Sequence, residues 1–171
     1  MFTKISFLFA ALLCLQLSSK AQVTSLDENK PTAIDGIEYG YIVKNEQTKS
    51  AKGEDYGRFE ITLYATNKSG CTKLYGNRTG VLSDDNPNLL ATFSCINANG
   101  KRLTAKSGTV KAREFYVNAK VTENGKEVTQ SVKAGFIFRN NETVRNNIIV
   151  LVPKGDRPSF NCTVNVLSEL Q

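Results

Sequence analysis

The chain has 171 residues and no histidine, and its 22 Lys and Arg against 16 Asp and Glu give a net charge of +6. Without histidine, Ser-His-Asp and Cys-His nucleophiles are excluded, and so is the commonest metal ligand. The basic residues are dispersed, with no run longer than Lys101-Arg102, so a nucleic-acid partner is not expected. We predict a noncatalytic protein with no cofactor and no metal site.

The N-terminal segment has the pattern of a bacterial export signal. Lys4 supplies a positive start, residues 5–17 are almost entirely apolar, and Ser19 and Ala21 are the small residues that a signal peptidase reads. The apolar run is shorter than the roughly 20 residues that a spanning helix needs, and polar residues follow it. The segment therefore predicts export rather than anchoring.

We place the signal peptide at residues 1–21, with cleavage before Gln22. Cleavage before Cys14 with lipidation is the alternative, but Leu13 stands where that processing needs a small residue. The mature chain is expected to be secreted or periplasmic, with no transmembrane anchor after cleavage.

Apolar residues beyond the leader recur with a period of two, which is typical of β-strands. Phe59, Ile61, Leu63 and Ala65 alternate with polar residues and predict a strand buried on one face. Similar alternation marks residues 34–43, 89–95, 115–121, 128–138 and 160–166. The continuous apolar run 148–152 predicts a central strand covered on both faces.

Two Asn-Gly pairs predict hairpin turns, because both positions of such a turn must tolerate positive φ. Asn99-Gly100 is expected to turn residues 101–105 back onto the preceding strand. Asn124-Gly125 joins two long alternating stretches, whose tip is expected to stand off the core, with a bulge near Gln130.

About eight short strands without intervening helices favour packed antiparallel sheets. We predict a single immunoglobulin-like or fibronectin-like β-sandwich over residues 34–171, with a closed β-barrel as the alternative. The absence of Trp excludes the antibody-type core. Residues 22–33 are rich in polar and charged side chains and are predicted to form a flexible lead-in.

Three cysteines follow the leader, and an odd number predicts one disulfide and one unpaired thiol. Cys95 and Cys162 are in phase with the apolar residues of their strands, whereas Cys71 follows a glycine turn. Pairing of Cys95 with either Cys71 or Cys162 is favoured over pairing of Cys71 with Cys162. The alternative is that all three stay reduced and the core pair acts as small hydrophobes.

Tyr39, Tyr41 and Tyr64 are the candidate binding residues, because an exposed tyrosine offers both an apolar ring and a hydroxyl group. A second, partly buried sheet face is the alternative interpretation of these positions. The expected partners are a glycan or another envelope protein.

The carboxylates form no clustered acid motif from which glycoside hydrolysis can be argued. Those considered are Glu54, Asp55, Glu60 and Glu114. We therefore predict an exported noncatalytic module, with a binding or structural role in the bacterial envelope or the extracellular space. The alternatives are an unusual carboxylate- or Cys-dependent enzyme and a secreted inhibitor that presents a loop.

Overall fold

The structure, a computed structural model, describes residues 23–51, 53–76, 87–97, 99–103, 107–165 and 167. Within these residues the chain forms antiparallel strands and no helix, which confirms the all-β class. The predicted signal peptide and most of the loop between Gly76 and Asn88 lie outside the described residues.

Eleven strands are described. In chain order they are β1 (Val23–Leu26), β2 (Thr32–Ile34), β3 (Ile37–Ala51), β4 (Glu54–Asn67), β5 (Lys73–Gly76), β6 (Leu89–Ile96), β7 (Gly108–Lys111), β8 (Arg113–Glu123), β9 (Lys126–Phe138), β10 (Thr143–Pro153) and β11 (Ser159–Val164). The first sheet has the order β1-β11-β6-β7, the second β10-β4-β3-β2, and the third β5-β9-β8. Each sheet has two end strands, so the described strands form no closed barrel.

The main core contains the inward-facing side chains of the first and second sheets. The alternating apolar residues of β4 are all buried, as their period of two predicts. The rings of Tyr41 in β3 and Phe160 in β11 are 4.8 Å apart between centroids. A Cβ placed on Gly108 in β7 would overlap Leu63 Cδ1 in β4. Glycine therefore permits a close approach between the two sheets at this point.

A buried amide links the second sheet to the third. Asn67, at the end of β4, donates from Nδ2 to the carbonyl oxygens of Cys71, at 2.9 Å, and Phe138, at 2.8 Å. Its Oδ1 accepts hydrogen bonds from the Ser69 backbone N–H, at 3.1 Å, and the Ser69 hydroxyl, at 2.6 Å. The side chain is fully buried, and these four bonds satisfy its donors and acceptors.

The predicted flexible lead-in, residues 22–33, contains β1 and the first two residues of β2. β1 pairs with β11, and β2 pairs with β3. Leu26 and Ile34 are buried in the core, and Asn29, at φ 61°, lies in the turn between the two strands. Leu26 was missed because β1 buries only this one apolar side chain in a polar segment, whereas Ile34 begins the predicted strand 34–43.

The apolar run 148–152 does not form a central strand. It belongs to β10, which lies at one end of the second sheet and pairs with β4. Val150 and Val152 are buried, whereas Ile149 is 60% exposed and Leu151 52% exposed. The prediction of coverage on both faces was therefore wrong, because the described residues place no second layer over this side of the sheet.

The β8–β9 hairpin extends away from the core, as its sequence predicted. Asn124 and Gly125 have φ values of 49° and 76°, and Glu123 lies opposite Lys126, which confirms the two-residue turn. Residues 116–133 are called the ribbon below. Their side chains are exposed or half-buried.

The bulge of the β8–β9 hairpin lies at Ala134, just outside the ribbon, rather than near Gln130. The register shifts where Phe115 lies opposite Gly135 and Tyr116 lies opposite Lys133, whereas Gln130 pairs regularly with Ala119. At the other predicted hairpin, Gly100 has φ 75° and a single bridge joins Ile96 to Arg102. Residues 104–106 of the predicted return strand lie outside the described residues.

The described cysteines are all free thiols, so the predicted disulfide is not formed among them. Cys95 lies opposite Phe160 and Cys162 opposite Phe93, which makes the two thiols diagonal neighbours on adjacent strands. Diagonal Cα atoms are about 7–8 Å apart, beyond the roughly 4.4–6.8 Å that a disulfide spans. Cys71 is exposed. The two core cysteines pack as small hydrophobes.

Candidate binding surface

The three tyrosines proposed as binding residues do not share an exposed face. Tyr39 and Tyr41 are 1% and 2% exposed, and both lie in the core. Burial raises the pKa of each hydroxyl above its usual value. Tyr64 alone lies on the opposite side of the second sheet, so the expected tyrosine surface is not formed.

The side of β10, β4 and β3 that is turned away from the core is called the outer face. Its cross-strand rows follow from the sheet register: Asn147 lies opposite Thr62, Ile149 opposite Glu60, and Leu151 opposite Arg58. Because side chains alternate along each strand, these rows project on the side opposite Ile61 and Leu63. The outer face is therefore built on three hydrogen-bonded strands.

Tyr64 forms a fixed part of this face. Its ring lies over Gly40 of the neighbouring strand, where a Cβ would come within 2.6 Å of the ring Cζ atom. Glycine at position 40 therefore leaves room for the ring, which would have to shift if residue 40 carried a Cβ. Burial, and then the nearby Glu38 carboxylate, raise the pKa of the Tyr64 hydroxyl, so this half-buried ring is neutral at physiological pH.

The polar side chains of the outer face bond mainly to each other. Thr62 Oγ1 donates to Asn147 Oδ1 at 2.7 Å, and Arg58 Nη1 donates to Glu60 Oε1 at 2.5 Å. These cross-strand and same-strand bonds satisfy polar groups without a ligand. The exposed apolar side chains Ile149 and Leu151 are the part of the face whose burial by a partner would be most favourable.

Two shallow depressions flank these apolar residues. The first has a volume of about 400 Å³, and its lining includes Lys44, Glu60, Thr62, Asn147 and Ile149. The second has a volume of about 690 Å³, and its lining includes Asp55, Tyr56, Leu151 and Lys154. An open apolar centre with a charged and polar rim is the usual composition of a protein–protein interface.

Three of the four carboxylates considered for catalysis, Asp55, Glu60 and Glu114, are engaged in ion pairs at the surface. Asp55 accepts from Lys154 at 2.7 Å and from the Ser50 hydroxyl, and these bonds lower its pKa. Glu114 accepts from Lys133 at 2.5 Å and from the Tyr116 hydroxyl at 2.7 Å, which lowers its pKa too. Among the residues that the structure describes, no three His, Cys, Asp or Glu side chains cluster as metal ligands.

The sequence did not predict that Ile149 and Leu151 are exposed. A continuous apolar run hides the period of two that distinguishes the buried side of a strand from its exposed side. Pro153 at the end of the run was the one available signal, since proline within a sheet favours an edge strand.

No protein-family model, curated protein or solved structure matches this chain. Within the described part of the chain, no helix has the length and apolar character needed to cross a membrane.

Proposed function

We propose that the chain is an exported, noncatalytic β-sandwich module that binds another envelope protein through the outer face. The observation that carries the proposal is the adjacent pair Ile149 and Leu151, 60% and 52% exposed beside polar side chains that bond to each other, Arg58 to Glu60 and Thr62 to Asn147. Exposed apolar patches rimmed by polar residues are characteristic of protein interaction sites.

The sandwich architecture is supported by contacts between the two four-stranded sheets. Tyr41 and Phe160 meet across them with ring centroids 4.8 Å apart, and Gly108 allows β7 to approach Leu63. An immunoglobulin-like or fibronectin-like arrangement, extended by the β8–β9 hairpin, is the fold we propose. The N-terminal export pattern supports a periplasmic or secreted location.

A protein partner is favoured over a glycan because of the chemistry of the surface. Sugar rings are commonly bound on exposed aromatic faces, whereas Tyr64 is half-buried and the hydroxyl end of its ring lies over Gly40. Aliphatic side chains such as Ile149 and Leu151 suit contact with an apolar patch of another protein.

Photocrosslinking in cells that naturally export the protein tests this proposal. A photoreactive amino acid replaces Ile149 or Leu151 in turn, and adducts are identified by mass spectrometry after irradiation. Val23 is the matched control, because it is an aliphatic residue of similar exposure, 62%, on an edge strand of the first sheet. We expect one discrete protein adduct at 149 and 151 that is absent at 23 and is lost when Asn147→Arg is added.

Three outcomes contradict the proposal. A glycan adduct would show that the outer face binds a saccharide and not a protein. Identical adducts at all three positions indicate nonspecific contact, and an absence of adducts at both 149 and 151 removes the outer face as an interaction surface.

A further inference from the structure

We infer that the chain self-associates through β8, which pairs antiparallel with β8 of a second copy and joins the two three-stranded sheets into one. Three features of the β8–β9 hairpin, none of them part of the outer face, favour this pairing: the position of β8 in its sheet, the direction of its backbone groups and its sequence.

β8 is a long strand at an open end of its sheet. It has 11 residues, and in the order β5-β9-β8 its one partner among the described strands is β9. Natural edge strands are commonly protected by proline, by a bulge or by charged side chains, lysine above all. β8, all of whose residues are described, contains no proline and a single lysine, Lys120, and the bulged residue Ala134 lies in β9.

The ribbon also leaves an apolar stripe uncovered. Val117 lies opposite Val132, and Val121 lies opposite Val128, and three of these valines are more than a third exposed. An isolated two-stranded hairpin is marginally stable in water, whereas three or more strands with an apolar face are stable. Pairing at the β8 edge would widen the sheet from two strands to four along the ribbon, where β5 does not reach.

The turn determines which backbone groups face outward. The pair that flanks a two-residue hairpin turn, here Glu123 and Lys126, is hydrogen-bonded, and hydrogen-bonded pairs then alternate along the strands. The odd-numbered residues of β8 therefore bond to β9. The even-numbered residues, Asn118 among them, direct N–H and C=O to the open edge.

The sequence of β8 is complementary to itself when Asn118 lies opposite Asn118 of the second copy. In that register Arg113 lies opposite Glu123, Phe115 opposite Val121, and Val117 opposite Ala119. Opposite charges and apolar pairs directly across two strands stabilise a sheet. Arg113 already contacts Glu142 through Nε, at 2.6 Å, and a guanidinium has further N–H donors that can bind a second carboxylate.

Neighbouring registers are less complementary. Centring the pair on Ala119 places Phe115 opposite Glu123, and centring it on Lys120 places two lysines opposite each other. Centring it on Val117 leaves Arg113 opposite Val121 and the last two residues unpaired. Only the Asn118 register pairs the full strand without opposing like charges.

Disulfide trapping tests this register directly. In a Cys71→Ser background, Asn118→Cys is expected to form a covalent dimer under mild oxidation, because Cα atoms of such a pair lie about 5.5 Å apart. Ser131→Cys is the matched control, since Ser131 lies opposite Asn118 on the far strand of the same ribbon. Equal crosslinking of both variants, or none at Asn118→Cys, overturns the inference.

A second measurement does not depend on added thiols. Sedimentation velocity of the purified protein over a range of concentrations is expected to show a monomer–dimer equilibrium. Asn118→Pro removes an outward N–H without breaking a bond to β9, and should raise the dimer dissociation constant at least about tenfold. Ser131→Pro makes the same change on the opposite edge and should leave it unchanged.

Two results of this measurement contradict pairing through β8. One is a protein that is monomeric at every concentration tested. The other is a dimer that Asn118→Pro and Ser131→Pro weaken equally, or that neither variant weakens, since such a dimer uses another surface or face-to-face contact of the valine stripes.

Discussion

At the scale of single residues, the thiols of Cys95 and Cys162 are buried in the core. Burial raises the pKa of Cys95 to about 11 and that of Cys162 to about 12, because desolvation disfavours the thiolate. Both side chains therefore remain protonated in the folded protein at pH values where cysteines of an unfolded chain ionise.

This difference predicts that stability decreases in alkaline solution. The folded-state pKa values are raised, so the unfolded chain releases these protons first, and the free energy of unfolding falls as pH rises from about 9 towards 12. The decrease approaches about 1.4 kcal/mol per pH unit for each thiol ionised only in the unfolded chain. Urea unfolding at pH 7, 9 and 10.5 measures this slope.

Two variants separate the thiols from other titrating groups. Cys95→Ala/Cys162→Ala should show a shallower decrease, whatever its stability at neutral pH, and Cys71→Ala should keep the original slope. Equal slopes in all three proteins would show that the buried thiols do not control the alkaline transition. Tyr39, whose pKa burial raises as well, contributes a decrease of the same sign that none of these variants removes.

At the scale of elements, the ribbon depends on local structure more than on the core. Its turn is closed by Asn124 and Gly125, and its strands are joined by regular pairs such as Val121 with Val128. The base of the hairpin is different, because Phe136 and Phe138 are buried. The stability of the core should therefore depend on the base and not on the tip.

Replacing residues 118–131 by Asn-Gly tests this division. The shortened hairpin keeps Val117 opposite Val132, a pair of the same hydrogen-bonding type as Glu123 with Lys126. At dilute protein concentration, the free energy of unfolding should change by less than about 1 kcal/mol, because the removed side chains are largely exposed. Phe136→Ala, at the buried base, should cost about 3–5 kcal/mol. Comparable losses in the two proteins, measured by urea unfolding, would contradict this division.

The sequence predicted where strands and turns lie better than it predicted which strands lie next to each other. Alternation predicted the buried side of β4, and Asn124-Gly125 predicted the turn between β8 and β9, because both signals are local. The position of β10 at a sheet edge and the diagonal placement of Cys95 and Cys162 depend on strand order and register, which local patterns do not specify. The apolar centre of the outer face was missed for this reason.

At the scale of the whole molecule, the close approach of the first two sheets depends on the missing side chain of Gly108. A Cβ at this position would overlap Leu63 Cδ1 of the facing sheet. Close-packed cores respond to one extra carbon with shifts that cost free energy. The contact therefore reports on how the two sheets pack together.

Gly108→Ala is expected to lower the free energy of unfolding by about 1–3 kcal/mol. In a Leu63→Val background, which shortens the facing side chain, the same change should cost about 1 kcal/mol less. Thr109→Ala, the next position on β7, controls for changes to the strand itself. Additive effects of Gly108→Ala and Leu63→Val in thermal or urea unfolding would show that these two residues do not meet.

The buried amide of Asn67 has a consequence for the choice of production host. Asn67-Lys68-Ser69 has the form of an N-glycosylation acceptor, and eukaryotic secretory pathways attach a bulky oligosaccharide to the amide nitrogen of such asparagines. In this protein that nitrogen bonds to the carbonyl oxygens of Cys71 and Phe138 inside the molecule. A chain glycosylated there before folding would lack the link between its second and third sheets, so a bacterial host is the appropriate source of native protein.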